Sequence, residues 1–411
     1  MPFQASILSQ AVKNSLSRTA ALIDSYGPRL AGSKSCEQAA QEIFTDFEQV
    51  CGNSSFEPFQ THPGAFMNFY KINTVIYLIG VVGIYFNLVW LSVLAFTFIL
   101  AGGFLEFGFY REFYDFLYPA KVCQNVTTQL EPQGEVKQQL IISGHHDSAQ
   151  ILNLLRKHQK LYGLKIVVPD IIFFTALIFS WGWLFSGLLY GNLPVFFLPG
   201  KLFLSLGFFL ILPKFFTADP HGTPGAGDNL VASMLLVELA RLLSMDPGRP
   251  GKSALNHTRL LLVSFDAEES GLRGSRAFVK RHRQQLQALP TYMLNIDSIY
   301  NVEHLQFLVS DLNGSLALSR ELAKECQALA GRAGLPSRLS RMVFGGGSTD
   351  AAELAKVGVQ ATTMLAMPTA LVRDGLVYHT VRDTVDAIEP EAVRACLEVA
   401  CRLAEKLDLA V

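Results

Sequence analysis

Ser264-Phe265-Asp266-Ala267-Glu268-Glu269-Ser270-Gly271-Leu272-Arg273-Gly274-Ser275 decides how the chain is read. It follows a leucine-rich and β-branched run, Thr258 to Val263, which predicts a buried strand. Two adjacent carboxylates, Glu268 and Glu269, then stand at that strand's C-terminal end. Neighbouring residues there point in different directions, so one can bind a metal while the other handles a proton. That is the division of labour a metallohydrolase needs. Taken alone, the segment reads first as an acidic, solvated loop. Metal chemistry requires further ligands at other strand ends.

Half of the 411 residues are hydrophobic and 17% are charged, and the mean hydropathy is +0.28. That is too apolar for one soluble domain and predicts a membrane-embedded portion. The 34 basic and 35 acidic residues nearly cancel, which gives no argument for nucleic acid or an anionic partner. No feature bears on oligomeric state. The six cysteines show no CxxC or zinc-ribbon spacing; most read as small buried residues, and a Cys36–Cys51 disulfide is compatible with the spacing. The first 25 residues carry Lys13 and Arg18 without an apolar core and small-residue cleavage site, so no cleaved signal peptide is expected.

In chain order, residues 1–60 read as soluble: an amphipathic helix, a loop at Gly27 to Ser33, and a second helix from Cys36 to about Gln49. Ile72 to Leu105 carries no charge over 34 residues. One bilayer span needs about 20 residues, so a hairpin of two short helices turning at Asn87 is expected, with a single tilted helix as the alternative. A short strand, Gln139 to Ser143, runs into Gly144-His145-His146-Asp147-Ser148. A second charge-free run, Ile171 to Gly200 and on to Pro213, predicts another hairpin turning at Gly191-Asn192-Leu193-Pro194. Beyond Lys214, strands at about 258–265, 292–296, 305–309 and 361–367 alternate with helices at about 229–245, 316–332 and 390–407. The expected fold is α/β, with a mostly parallel central sheet flanked by helices and transmembrane helical hairpins inserted. Its ligand site belongs at the strands' C-terminal ends.

His145, Asp147, Asp228, Glu268, Glu269, Asp297 and His379 all fall at or near such ends. Each has a bland alternative: Asp228 as a helix N-cap, His379 as a satisfied polar residue, Asp297 as a turn former. Their joint placement in one α/β domain is harder to dismiss. Imidazole and carboxylate without thiolate favour zinc or a similar divalent ion.

His145-x-Asp147, Gly225-Ala226-Gly227-Asp228-Asn229, Asp266 to Ser275, Asn295-Ile296-Asp297, and Tyr378-His379-Thr380 with Asp383-Thr384 together resemble the motifs of the di-zinc exopeptidases of clan MH. That family contains leucyl-type aminopeptidases, glutamate carboxypeptidase and glutaminyl cyclase. The resemblance implies two Zn2+ ions and a peptide substrate. Asp228 would bridge the ions, Glu269 and His379 would complete one site, and His145 and Asp297 the other. Glu268 would be the general base, and Asp147 would fix the tautomer of His145. Tyr378 is a candidate oxyanion donor or else a packed aromatic. In the glycine-rich loop, Gly346, Gly347 and Asp350 resemble the family's substrate-pocket loop, or form a simple turn. His146 is expected to be a bystander, and Asp219 and His221 surface residues.

The implied organisation divides the catalytic domain into 1–70, 121–155 and 217–411, with membrane hairpins at 71–120 and 156–216. The second hairpin departs from the family, which joins His-x-Asp to the bridging aspartate by a short loop. Its two ends must return to one site, so it must cross the bilayer an even number of times. Lys201, near an expected turn, is the only buried ionisable residue expected in the hairpins. Lys71, Arg111, Lys121, Arg156, Lys157, Lys160, Lys165 and Lys214 flank the spans on the catalytic side, which predicts a cytoplasmic catalytic domain. Formal glycosylation sequons at Asn53, Asn125, Asn256 and Asn313 point the other way. The expected function is a membrane-anchored aminopeptidase; the alternatives are a glutaminyl cyclase-like transferase and an inactive receptor or scaffold on the same fold.

Overall fold

A computed structural model describes residues 5–191, 197–245, 251–368 and 376–411. Eleven strands form among them: β1 (Ser55–Thr61), β2 (Lys121–Leu130), β3 (Gln138–His145), β4 (Gln150–Leu152), β5 (Ala218–Gly222) and β6 (Thr258–Phe265), then β7 (Thr291–Ile299), β8 (Leu305–Asp311), β9 (Leu316–Ala317), β10 (Arg338–Arg341) and β11 (Gln360–Ala366). The main sheet runs β1-β2-β6-β3-β7-β11-β8-β10, with β9 beside β8. Its centre, β6-β3-β7-β11, is parallel, and antiparallel partners close both flanks. The expected α/β class is therefore observed.

Burial explains the central strands. Every residue of β3 is buried, as is nearly all of β6; strands covered on both faces read as continuous apolar runs. Helices Ala5–Tyr26, Lys34–Cys51, Val231–Leu243, Arg320–Arg332 and Pro390–Asp408 enclose the larger core on one face. Helix Arg273–Ala288 and the short Ala351–Ala355 cover the other. Local signals set the helix ends: Ser33 accepts a bond from the Cys36 N–H, Gly52 closes the same helix in the left-handed region, and Pro390 starts the last one. Helix Val231–Leu243 lies directly on β3, where a Cβ on Gly144 would stand 2.7 Å from Ala232 Cβ. Only glycine permits that approach.

Among the described residues, four helices are long and apolar enough to cross a bilayer, within Gly64–Tyr85, Val89–Gly108, Gln159–Tyr190 and Phe197–Phe215. The first charge-free run thus folds as two helices, with Asn87 in the left-handed region between them. The first begins at Gly64, before the expected boundary at residue 71. In the second hairpin Gly191 caps a helix in the left-handed conformation; Asn192, Leu193 and Pro194 of the expected turn lie outside the described residues. Tyr77, Phe96, Ile172, Phe173 and Ile211 pack the four helices together. A Cβ on Gly80 would meet the Phe96 ring at 2.5 Å. Outward-facing Trp90, Leu94, Leu189 and Phe209 remain exposed, a surface suited to lipid rather than water.

Each hairpin stands on a two-stranded stem. Thr61 and Lys121 pair at the foot of the first, in the β1–β2 ladder. Leu152 and Ala218 pair at the foot of the second, in β4–β5. Two expectations need correction. Lys201 is not the only ionisable group, because the third apolar helix reaches back to Tyr162 and includes Asp170, which meets the buried Lys214 at 2.5 Å. Cys36 and Cys51 are not bridged, since all six thiols are free and these two lie at opposite ends of one helix, about 22 Å apart along its axis.

Arg273 couples the first hairpin to the sheet. Its buried guanidinium meets Glu106 at 3.3 Å, Glu112 at 2.8 Å and Asp115 at 2.9 Å. Glu106 is fully buried, so Arg273→Met would strand a carboxylate. We expect a loss of about 3–5 kcal/mol, partly recovered when Glu106→Gln is added. Unfolding in detergent measures both; equal stability of Arg273→Met and the parent would contradict it.

Candidate active site

Parallel strands present their C-terminal ends on one edge, and the candidate residues gather there. His145 is the last residue of β3, Asp297 lies near the end of β7, and Glu268 and Glu269 follow β6. Asp228 sits in the irregular turn Ala226–Leu230, with non-helical dihedrals, ahead of helix Val231–Leu243. That helix has no side-chain cap bond, which removes the N-cap alternative for Asp228. The turn is pinned at two points. Asp383 Oδ1 accepts the Gly227 N–H at 2.8 Å, and the Asn229 side chain donates to the Ile296 carbonyl at 2.8 Å. Ala267, Ser298 and His379 hold positive φ, a conformation disfavoured for residues with a Cβ. It aims the neighbouring or own side chain into the site.

Two groups of ligand atoms share Asp228. His145, Asp228 and Asp297 have donor atoms within 4.8 Å of one another, as do Asp228, Glu269 and His379. Asp228 Oδ1 is 3.5 Å from His145 Nε2, and Asp228 Oδ2 is 3.1 Å from His379 Nε2. Glu269 Oε1 is 3.2 Å from the same His379 nitrogen. His145 Nε2, Asp228 Oδ2, Glu269 Oε1 and His379 Nε2 are buried and make no hydrogen bond of acceptable geometry among the described residues. Buried polar atoms are rarely left so. Imidazole and carboxylate atoms converging without partners fit divalent ions such as zinc.

Asp147 orients three of these groups at once. Its carboxylate lies 3.2 Å from His145 Nδ1, Oδ1 accepts the Glu268 N–H, and Oδ2 accepts the Glu269 N–H, each at 3.1 Å. His145 therefore presents Nε2 to the shared centre, and the two glutamates are fixed by their backbone. Burial pushes the Glu268 carboxyl well above its ordinary range, with Asp297 and Glu269 adding to the effect against His145. Burial also raises Glu269 to about 7 and Asp297 to about 6. At Asp228 burial acts the same way, but His145 and His379 outweigh it and hold the carboxyl below the ordinary range.

Other expected residues are placed less simply. Tyr378 stacks on the His379 ring, centroids 3.8 Å apart, and lines the cavity beside the cluster, as do Gly346 and Gly347. Asp350 is not in the cavity wall; it is fully buried behind it. Asp219 and His221 pair with each other at 2.6 Å, with His221 exposed. His146 turns away from the cluster, Nδ1 lying 2.9 Å from Ser264 Oγ. Several residues escaped the sequence. Ser298 donates to Asp297 Oδ1 at 2.8 Å. Arg29, fully buried, donates to the carbonyls of Gly27, His146, Pro224 and Gly225, clamping the N-terminal segment beneath the site. Phe66, Met67, Tyr70, Phe107, Tyr110 and Tyr162 wall the cavity, and all come from the apolar helices or their margins.

Residues 212–404 match the family model described as Peptidase family M28. A comparison with curated proteins returns no match. Among solved structures the chain is similar to BSAP, a zinc aminopeptidase from Bacillus subtilis, with 13% identity and a TM-score of 0.55, covering 96% of this chain and 95% of that one. It is similar to the glutaminyl cyclase of Fimbriiglobus ruber, with 13% identity and a TM-score of 0.55, covering 96% and 94%. A glutaminyl cyclase from an Acidobacteriales bacterium gives 13% identity and a TM-score of 0.56, covering 98% and 96%. At such identities the likeness is one of fold.

With Glu269 near 7 and Asp297 near 6 before metal binds, both carboxyls hold part of a proton at neutral pH. Metal binding must displace those protons, so affinity is expected to fall as pH drops through 7 toward 5, and loading at pH 7 to release protons. Calorimetric titration in two buffers of different ionisation enthalpy measures the release. Identical heats in both buffers would contradict it.

Proposed function

We propose that this chain, whose residues 212–404 match Peptidase family M28, works as a membrane-anchored aminopeptidase with two metal ions. The carrying observation is the single carboxylate of Asp228 shared between His145 with Asp297 on one side and Glu269 with His379 on the other. Two like-charged ions close together need such a shared anion. When bound, the ions would acidify a water and polarise the scissile carbonyl.

The chain's own groups supply the rest. Glu268 lines the cavity, is held by its N–H to Asp147, and has a raised affinity for protons. It suits a group that takes a proton from water and returns it to the leaving amine. Asp228, Glu268, Glu269 and Asp297 face the cavity, and Arg341 is the one guanidinium among the described residues of its walls. The two ions would offset the charge of the carboxylates that hold them, so the amino end of a peptide is favoured instead by the fold shared with a zinc aminopeptidase. The aromatic and methionine walls favour a large apolar first residue.

The apolar hairpins, with lysine and arginine on the catalytic side, support anchoring in a bilayer with the catalytic domain in the cytoplasm. Two sequons offer little to a glycan: Asn125 is fully buried and its side chain donates to Gly274 O, and Asn313 is buried and donates to Phe107 O. Protease protection of sealed vesicles reads the side directly.

Glu268→Gln is expected to lower kcat on leucyl or phenylalanyl anilides by about 10²–10⁴-fold while metal content stays at that of the parent. Undiminished turnover would overturn the role. A second reading, glutaminyl cyclase-like transfer, is favoured by the shared fold with two such enzymes. One ion per chain, with pyroglutamate formed from an N-terminal glutamine and no anilide cleavage, would select it.

A further inference from the structure

We propose that Cys36, Cys123, His146 and Asp266 form a second metal site, built for a thiophilic ion such as Zn2+ and structural in role. Cys36 Sγ, a ring nitrogen of His146 and a carboxylate oxygen of Asp266 lie within 4.8 Å of one another, all buried. Cys36 Sγ is 3.3 Å from Asp266 Oδ1, and the Cys123 thiol, also buried, is raised in its hold on a proton first by burial and then by the same Asp266 carboxylate. Three side chains of metal-ligating type thus meet, from helix Lys34–Cys51 and the ends of β3 and β6, and Cys123 of β2 is the fourth ligand the proposal adds beside Asp266.

An independent observation points to a ligand. His146 is fully buried, its Nδ1 pairs with Ser264 Oγ, and its Nε2 has no hydrogen-bond partner. Ser264 Oγ lies 2.7 Å from Ser233 Oγ. Ser264 Oγ can accept a hydrogen bond from the Nδ1–H and pass its own on to Ser233 Oγ, which leaves the Nε2 lone pair free, the usual support for a metal-bound histidine. An imidazole nitrogen sealed without a partner is an unfavourable arrangement that native structures rarely keep. Asp266 likewise makes no ion pair with a basic side chain among the described residues; its other oxygen accepts the Gln124 N–H at 2.9 Å. The nearby Arg29 guanidinium is committed to backbone carbonyls.

Two thiols, one imidazole and one carboxylate are a four-ligand set for tetrahedral zinc, and the thiolates select against magnesium and calcium. Binding exchanges protons for metal: Zn2+ displaces one proton from each thiol, together with the part of a proton that Asp266, raised by burial to about 7, still holds at neutral pH, while neutral His146 completes the sphere. The ion would fasten the strand ends that carry the peptidase residues, since His146 adjoins His145 and Asp266 stands two residues before Glu268.

Sulfur makes the test specific, because the peptidase cluster offers only nitrogen and oxygen. The full-length protein in detergent, loaded with Co2+ alone, is expected to show a near-ultraviolet thiolate-to-cobalt absorption. Glu269→Gln should retain that band. Cys36→Ser with Cys123→Ser should abolish it and lower metal content by one ion per chain. X-ray absorption of the zinc-loaded parent needs no variant and should show zinc–sulfur scattering at about 2.3 Å. Oxygen and nitrogen scattering alone, with both thiols freely titratable in the metal-loaded protein, would overturn the site, as would a Cys36–Cys123 disulfide. Either result would leave the peptidase assignment standing.

Discussion

Mutual repulsion among buried carboxylates governs this structure. Asp228, Glu268, Glu269 and Asp297 are brought to one edge of the sheet, within reach of two imidazoles. In a medium of low effective dielectric, like charges this close cannot all persist without cations. Protons answer part of the demand: burial first, and the neighbouring carboxylates after it, make Glu268, Glu269 and Asp297 hold them more tightly than ordinary carboxyls. Divalent ions would answer it fully. The surrounding architecture then reads as a means of holding an unfavourable arrangement in place: Asp147 tying two backbone amides, Asp383 and Asn229 pinning the Asp228 turn, and three non-glycine residues kept at positive φ.

The apolar insertions obey the same geometry. A chain that leaves the catalytic edge after His145 and must return with Asp228 needs its two ends side by side, and the β4–β5 pair supplies this. The β1–β2 ladder does the same for the first hairpin. These stems let long apolar segments be added without disturbing the parallel centre. The ion cluster around Arg273 locks the foot of the first hairpin to the start of the helix that follows the two glutamates.

Much of this was legible in the chain. The buried strands announced themselves as apolar runs, and each ended in a polar residue that a folded core would not otherwise place there. Asn87 could be located because a turn residue stood near the centre of a charge-free stretch. What stayed hidden depended on partners distant in sequence. β1 contains Glu57 and Pro58 and alternates weakly, and β2 becomes a strand only beside β1 and β6. Helix Arg273–Ala288 is crowded with charge at Arg276, Lys280, Arg281 and Arg283, so its narrow apolar face was masked. The cavity walls join residues near 66, 107, 162 and 342, a juxtaposition no local pattern encodes. Cys36, Cys123, His146 and Asp266 share no spacing motif for the same reason, and His146 looked idle because its neighbour carried the recognisable role.

The cavity has one wall from the sheet's edge and another from the feet of the apolar helices, with Phe66, Met67 and Tyr70 on the first and Tyr162 on the third. If those helices sit in lipid, their lean adjusts to the thickness of the surrounding hydrocarbon. The distance between the reactive groups and the opposite wall would then vary with the membrane itself. Acyl-chain length becomes a dial on the chamber, and the lipid a regulator that never enters it.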